Sequence, residues 1–344
     1  MDTEKLIALY QSAEMVQRNY AGQLSEEFQQ YLAEAHSGAS LEDCVFYHSV
    51  EEGERLHSGF WDLRGREKDY IGLVEPRGCR LLEFGPASGY LTFYLEREGA
   101  QVVAFELPPG KAPDLVPLHS VDLEAHRKSG IEFQSRIRNS WWYLRRMLGG
   151  TAAIVYGDIY ELPPDLGRFN VATFGSILLH LSNPFRALHA ASQITDDAII
   201  VTEVLQRVSY LPGQAIIEFH PEMRPDLVNW WALTPVAVER MLQVLGFPHT
   251  ECWFHFQRRK DPDQWVDVPS FTVVGRRAEH KPPGSEVGPD QKRRQQELEA
   301  TWERKMEREL ETTRAALMAI QNSTSWRLTK GLRTVADFLK RRNP

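Results

Sequence analysis

Cysteine is scarce in this 344-residue chain: Cys44, Cys79 and Cys252 stand far apart, and none belongs to a C-x-x-C pair. That spacing argues against a disulfide framework or a zinc knuckle and fits a reducing compartment. The histidines and acids also lack ligand spacing, so no resident metal is expected. Long apolar runs are missing too, and no stretch reaches the roughly 20 residues that cross a bilayer. The first residues, Met1-Asp2-Thr3-Glu4-Lys5, lack the basic start and apolar run of a secretory leader. There is no basic excess: 40 Lys and Arg face 47 Asp and Glu, a formal net charge of −7. A chain built chiefly to grip phosphate backbones is usually basic, so nucleic acid is the less favoured partner. These absences predict a cytoplasmic protein, attached at most to the inner face of the membrane. What is present, 42% hydrophobic and 25% charged residues, suffices for a sizeable core.

Residues 1–45 read as an N-terminal helical segment, with Leu6, Leu9, Tyr10, Ala13 and Val16 at helical spacing. Short apolar runs then alternate with helical stretches over 46–278. The runs are Arg80-Leu81-Leu82-Glu83-Phe84, Gln101-Val102-Val103-Ala104-Phe105-Glu106, Ala152-Ala153-Ile154-Val155-Tyr156, Phe169 to Phe174 and Ala198-Ile199-Ile200-Val201-Thr202. Pro235 and Gly246 punctuate a helix, and two closing strands near Cys252 and Phe271 suit an edge hairpin. The pattern predicts an α/β domain, doubly wound and Rossmann-like, with a mostly parallel seven-stranded sheet. A linker is expected over 279–290 and a charged coiled-coil-like helix over 291–325. The apolar positions of that helix are Leu298, Trp302, Met306, Leu310, Leu317 and Ile320, a narrow stripe for self-association or a partner protein. Residues 326–344 form a basic amphipathic tail, suited either to peripheral membrane contact or to docking on the protein itself.

The chemical signal is Leu82-Glu83-Phe84-Gly85-Pro86-Ala87-Ser88-Gly89, directly after a strand and opening a helix. Glycines allow a sharp turn and close ligand approach, and the helix start favours an anion. A nicotinamide fingerprint would need glycine where Ala87 and Tyr90 stand. An acid before G-x-x-x-G resembles the first motif of class I S-adenosylmethionine-dependent methyltransferases. Glu106 ends the second run about 20 residues later, where such sheets place an acid on ribose hydroxyls. The resemblance implies S-adenosyl-L-methionine held by Glu83, Gly85, Pro86, Ala87 and Gly89, by Glu106, by Asp158 and Ile159 at the adenine, and by Gly175 and Ser176 near the reacting methyl.

Phe174-Gly175-Ser176-Ile177-Leu178-Leu179-His180-Leu181-Ser182-Asn183-Pro184 is similar to one branch of that class, the transfer-RNA wobble-uridine carboxymethyltransferase family and its relatives. Phe46-Tyr47-His48, Trp61-Asp62-Leu63-Arg64 and Trp230-Trp231 add to the likeness, which covers roughly residues 45 to 275. The chain departs from that branch in an insertion carrying Asn139-Ser140-Trp141-Trp142 and in its tail. Ser323-Thr324-Ser325-Trp326-Arg327-Leu328-Thr329 resembles a segment ending many bacterial enzymes of surface-polysaccharide assembly, which moves the expected acceptor from RNA to a sugar hydroxyl. His180 is the candidate base, and Glu203 either orients it or holds the acceptor. His48, Asn139, Trp142, His220 and Trp230 are candidate acceptor contacts, with at least one tryptophan of each pair expected in the core. Two alternatives stand beside glycan O-methylation: an RNA-modifying enzyme of the same fold, and a non-catalytic scaffold working through its helical tail.

Overall fold

The computed structural model describes residues 38–119, 121–163, 166–205, 214–219, 228–262, 264–278 and part of 300–323. The chain divides into two compact units, Met1–Gly288 and Pro289–Pro344. In chain order, the first unit runs β1 (Val50–Glu52), β2 (Arg55–His57), β3 (Trp61–Asp62), α1 (Glu67–Tyr70), β4 (Arg80–Phe84), α2 (Tyr90–Arg97) and β5 (Gln101–Glu106). It continues through α3 (Leu123–Met147), β6 (Ala153–Tyr156), β7 (Phe169–Gly175), α4 (Pro184–Ser192) and β8 (Thr195–Val204). It closes with β9 (Ile217–Phe219), β10 (Trp231–Leu233), α5 (Pro235–Val244), β11 (His249–Asp261) and β12 (Gln264–Arg276).

The main sheet has eight strands in the order β3-β11-β12-β8-β7-β4-β5-β6. Strands β4 to β8 are parallel, while β12, β11 and β3 add on antiparallel. The parallel strands form because their apolar runs have somewhere to go on both faces. Leu81, Ile154, Val171 and Ile200 pack with Leu95, Trp141 and Leu144 on one face. Leu82, Phe84, Phe174 and Val201 pack with Leu188, Val238 and Leu242 on the other. The helix starts are capped as the sequence dictates. Asn183 accepts from the Arg186 N–H ahead of Pro184, and Thr234 does so from Ala237 ahead of Pro235. Parallel connections run one way from β4 to β5 and β6, and the other way to β7 and β8. The strand order therefore reverses at β4, opening a crevice at the carboxyl ends.

The expectation of seven strands is corrected to eight. The extra one, β3, pairs Trp61 and Asp62 with Arg259 and Arg258 on the open edge of β11. The closing hairpin is longer than its apolar segments, with 13 residues in each arm. Its pairing with β8 ends at Ser270↔Val204, so 264–269 and 256–261 continue past the carboxyl edge of the sheet. The long helix α3 begins at Leu123, where the Asp122 carboxylate accepts from the Glu124 and Ala125 N–H groups. Two small antiparallel pairs, β1 with β2 and β9 with β10, stand outside the main sheet.

In the second unit, residues 310–320 are helical. Leu298, Trp302 and Met306, like the segments 1–37, 279–299 and 324–344, lie outside the described residues. Among the described residues no helix is long and apolar enough to cross a membrane.

Candidate active site

The glycine loop leaves β4 and enters α2 with Gly85 at φ 67°, Ala87 at φ 48° and Gly89 at φ 88°. Two further constraints hold the glycines. A Cβ on Gly85 would lie 2.6 Å from Ile177, and one on Gly89 would lie 2.6 Å from Trp141. Between them, the Ser88 hydroxyl accepts from the backbone N–H groups of Tyr47 and His48, both at 3.2 Å, latching the preceding segment onto the loop. Beneath the loop Glu83 is buried and accepts from the Thr92 hydroxyl, which in turn accepts from the Trp141 indole at 3.2 Å. Burial pushes the Glu83 carboxyl up to about 8, against the pull of Thr92. Glu83 thus ties β4 to α2 at the root of the loop.

Four more expected residues stand along the same edge. Glu106 ends β5 with its carboxylate accepting from Leu107 N–H at 2.7 Å. Burial raises its pKa, while that bond and the Arg138 charge oppose the rise. Asp158, just past β6, accepts from Tyr160 N–H at 2.8 Å and so shapes the turn. Ile159 packs half-buried against the core beside it. Ser176 holds φ 52° and donates its N–H to Thr202 O at 2.7 Å, a left-handed serine where strain commonly marks a site. Parallel register brings these ends together: Phe84 pairs with Phe105 and Phe174, and Glu106 with Tyr156.

His180 closes a 3-10 turn, Leu178–His180, just beyond Ser176. Its Nδ1 lies 2.9 Å from the Val228 carbonyl. A carbonyl only accepts, so Nδ1 carries the proton and, in the neutral ring, Nε2 is the acceptor. Glu203 turns to the backbone of this turn. Its Oε1 accepts from the Leu178 and Leu179 N–H groups at 2.8 and 3.4 Å, and burial pushes its carboxyl up to about 8.

The acceptor candidates separate. Trp230 donates its indole N–H to Asp114 O at 3.0 Å and its backbone N–H to Leu179 O at 2.8 Å. Phe219, 53% exposed, lies 6.2 Å from the Trp230 ring and 5.4 Å from the Trp231 ring, making an aromatic shelf beside the His180 turn. His48 sits against the loop, its ring 6.3 Å from that of Tyr90 and pushed down to about 4 by burial, hence neutral. Trp142 corrects the expectation: with Trp141 it is buried, and its indole donates to the Tyr156 hydroxyl at 3.1 Å. Both tryptophans of that pair are core, because the helix lies with this face flat on the sheet. Asn139 turns to the Asp43 carbonyl at 3.2 Å, a brace between segments. His220 lies outside the described residues.

Sequence reasoning missed Tyr70 and Asp114. The Tyr70 hydroxyl lies so close to Gly175 that a Cβ there would be 2.5 Å from it. Asp114 accepts from the Tyr160 hydroxyl and from Ser182 N–H, joining the segments after β5, β6 and β7. Neither has a local signal, since each acts through residues far away in the chain.

No family model matches the chain. It is 27% identical over 145 residues to the ubiquinone biosynthesis O-methyltransferase of Xanthomonas axonopodis pv. citri (strain 306). That match covers 38% of this chain and 56% of the relative, little more than half of its length. Among solved structures, the N-terminal domain of EvdMO1 in the presence of SAH and D-fucose is 18% identical. It covers 74% of this chain and 97% of that one, at a TM-score of 0.47. Magnesium protoporphyrin IX methyltransferase from Synechocystis PCC 6803 with bound SAM is 10% identical, covering 80% and 98%, at a TM-score of 0.38.

Proposed function

We propose that this chain is an S-adenosylmethionine-dependent methyltransferase acting on a sugar hydroxyl of a bacterial surface glycan or its precursor. The observation that carries the reading is the convergence of the glycine loop, Glu106, Asp158 and Gly175-Ser176 at the carboxyl ends of four adjacent parallel strands. The residues present fit the cofactor. The loop leaves no room for a side chain at Gly85 or Gly89, the start of α2 suits the cofactor's carboxylate, and Glu106 suits paired ribose hydroxyls. The cofactor supplies an electrophilic methyl on a positively charged sulfur. The chain would supply position and a base: the glycine loop and Glu106 would hold the methyl donor, and Nε2 of His180 would take the hydroxyl proton of the acceptor as its oxygen gains the methyl and the demethylated cofactor is released. Holding the oxygen in line supplies several kcal/mol, and a placed base typically about 10²–10⁴-fold in rate.

Oxygen as the accepting atom is supported by the O-methyltransferase relative. A ring-shaped acceptor is supported by the half-exposed Phe219 and Trp230 shelf, since aromatic faces stack on sugar rings. The net charge of −7 weighs against RNA.

Titration calorimetry with S-adenosylmethionine and its demethylated product tests the reading. Micromolar binding is expected, weakened about 10- to 100-fold in Glu106→Ala through loss of charged hydrogen bonds. Labelled methyl transfer to glycan fractions then tests the acceptor. Absence of binding by folded protein overturns the enzyme reading and favours the scaffold.

A further inference from the structure

We propose that Glu203 is a positioning residue that acts through His180: its buried carboxyl group and the Val228 carbonyl clamp the Leu178–His180 turn and lock the histidine in its Nδ1–H tautomer. The use made of Nε2 rests on the methyl-transfer reading, whereas the clamp is a matter of geometry alone. The turn is three residues long and has no side-chain cap of its own. Its own hydrogen bonds, His180 N–H to Ile177 O at 2.9 Å and Leu181 N–H to Leu178 O at 3.2 Å, leave the N–H groups of Leu178 and Leu179 over, as any helix start does. Both leucine side chains are buried, so solvent is not at hand to take these donors. Glu203, 2% exposed at the end of β8, accepts from both.

The ring is then fixed by its other contact. Donation from Nδ1 to Val228 O at 2.9 Å selects the tautomer that an unrestrained histidine populates less, and it leaves Nε2 with the lone pair a base requires. Val228 precedes Trp230, whose N–H donates to Leu179 O at 2.8 Å, so the carbonyl and the turn it faces are themselves cross-linked. The turn thus sits between two supports: β8 through Glu203, and the 228–230 segment through Val228 and Trp230. With Oε1 bonded to backbone donors and the side chain enclosed, Glu203 is placed to hold the turn and not to take a proton from an acceptor.

The test uses the full chain labelled with 15N-histidine, with His180 among 11 histidines identified by His180→Gln. In the wild type, His180 shows a protonated Nδ1 and an unprotonated Nε2. Glu203→Met, an apolar side chain of similar size, is expected to lose that signature, and Glu203→Gln, which keeps an accepting oxygen, to retain it. With an acceptor in hand, kcat falls about 100-fold in Glu203→Met with KM little changed and recovers in Glu203→Gln. An unchanged Nδ1–H signature in folded Glu203→Met, or equal loss in both variants, overturns the clamp. So does rapid solvent exchange of the Leu178 and Leu179 amides in the wild type, which needs no variant. Failure of S-adenosylmethionine to bind would instead strike the methyl-transfer reading and leave the tautomer result standing.

Discussion

At the scale of single residues, the loop is a case where space and backbone shape both demand glycine. Gly89 stands at φ 88°, and a Cβ there would meet both Trp141 and Phe93 within 3 Å. Gly89→Ala is expected to cost about 1–3 kcal/mol of stability and to abolish cofactor binding, read by chemical denaturation and calorimetry. The buried glutamates make a second prediction. Burial raises Glu83 and Glu203 from 4.5 to about 8, so the folded state holds their protons more tightly than the unfolded chain does. Their contribution to stability is therefore full below about pH 4.5 and is lost as pH rises through 8. The slope is at most ~1.4 kcal/mol per pH unit for each carboxyl. Denaturation curves between pH 5 and 9 should show this fall, and Glu203→Gln should flatten it. A stability that climbs over that range would contradict both assignments. The motif residues were legible one by one, but their partners were not. Glu83 meets Thr92 and Trp141, and Glu203 meets the Leu178 turn, through contacts between separate elements that no spacing in the chain encodes.

At the scale of elements, the five parallel strands could be read from the sequence because strands buried on both faces leave continuous apolar runs. The N-terminal half of α3 could not. Over 123–136 it has few core contacts and a charged, polar composition, and its start is set by one cap. Asp122→Ala removes the acceptor of two N–H bonds of 3.0 and 3.1 Å. The expected cost is about 0.5–2 kcal/mol. Hydrogen exchange should quicken over 123–127 and stay unchanged around Trp141, where the helix is anchored in the core. Equal quickening at both ends would mean that α3 behaves as one cooperative rod. The distal hairpin escaped for a related reason. Beyond Ser270↔Val204 it has no β8 neighbour, so its residues lack the apolar run that marks the interior strands. Its position is held by Arg66, which donates to Phe256 O at 2.8 Å and pairs with Asp267 at 2.9 Å.

At the scale of the whole molecule, the second unit carries an apolar stripe of its own. Its described helix, 310–320, exposes Leu310 and Leu317 by half, and they stand one heptad apart with Thr313 and Ile320 on the same stripe. We propose that a second copy of this helix covers the stripe in a short coiled coil, the charged flanks choosing the register. Leu310→Glu combined with Leu317→Glu places charge at two seam positions and should convert an oligomer to a monomer in light scattering. Binding of S-adenosylmethionine should persist, because no residue assigned to the cofactor lies past Ser176. Deleting 291–344 should reproduce the monomer, and vesicle flotation of the deleted and full chains separates self-association from any membrane contact of the basic tail. If the full chain is monomeric before any change, the stripe has another occupant and the coiled-coil proposal fails; if the double variant stays oligomeric, the association lies elsewhere on the molecule.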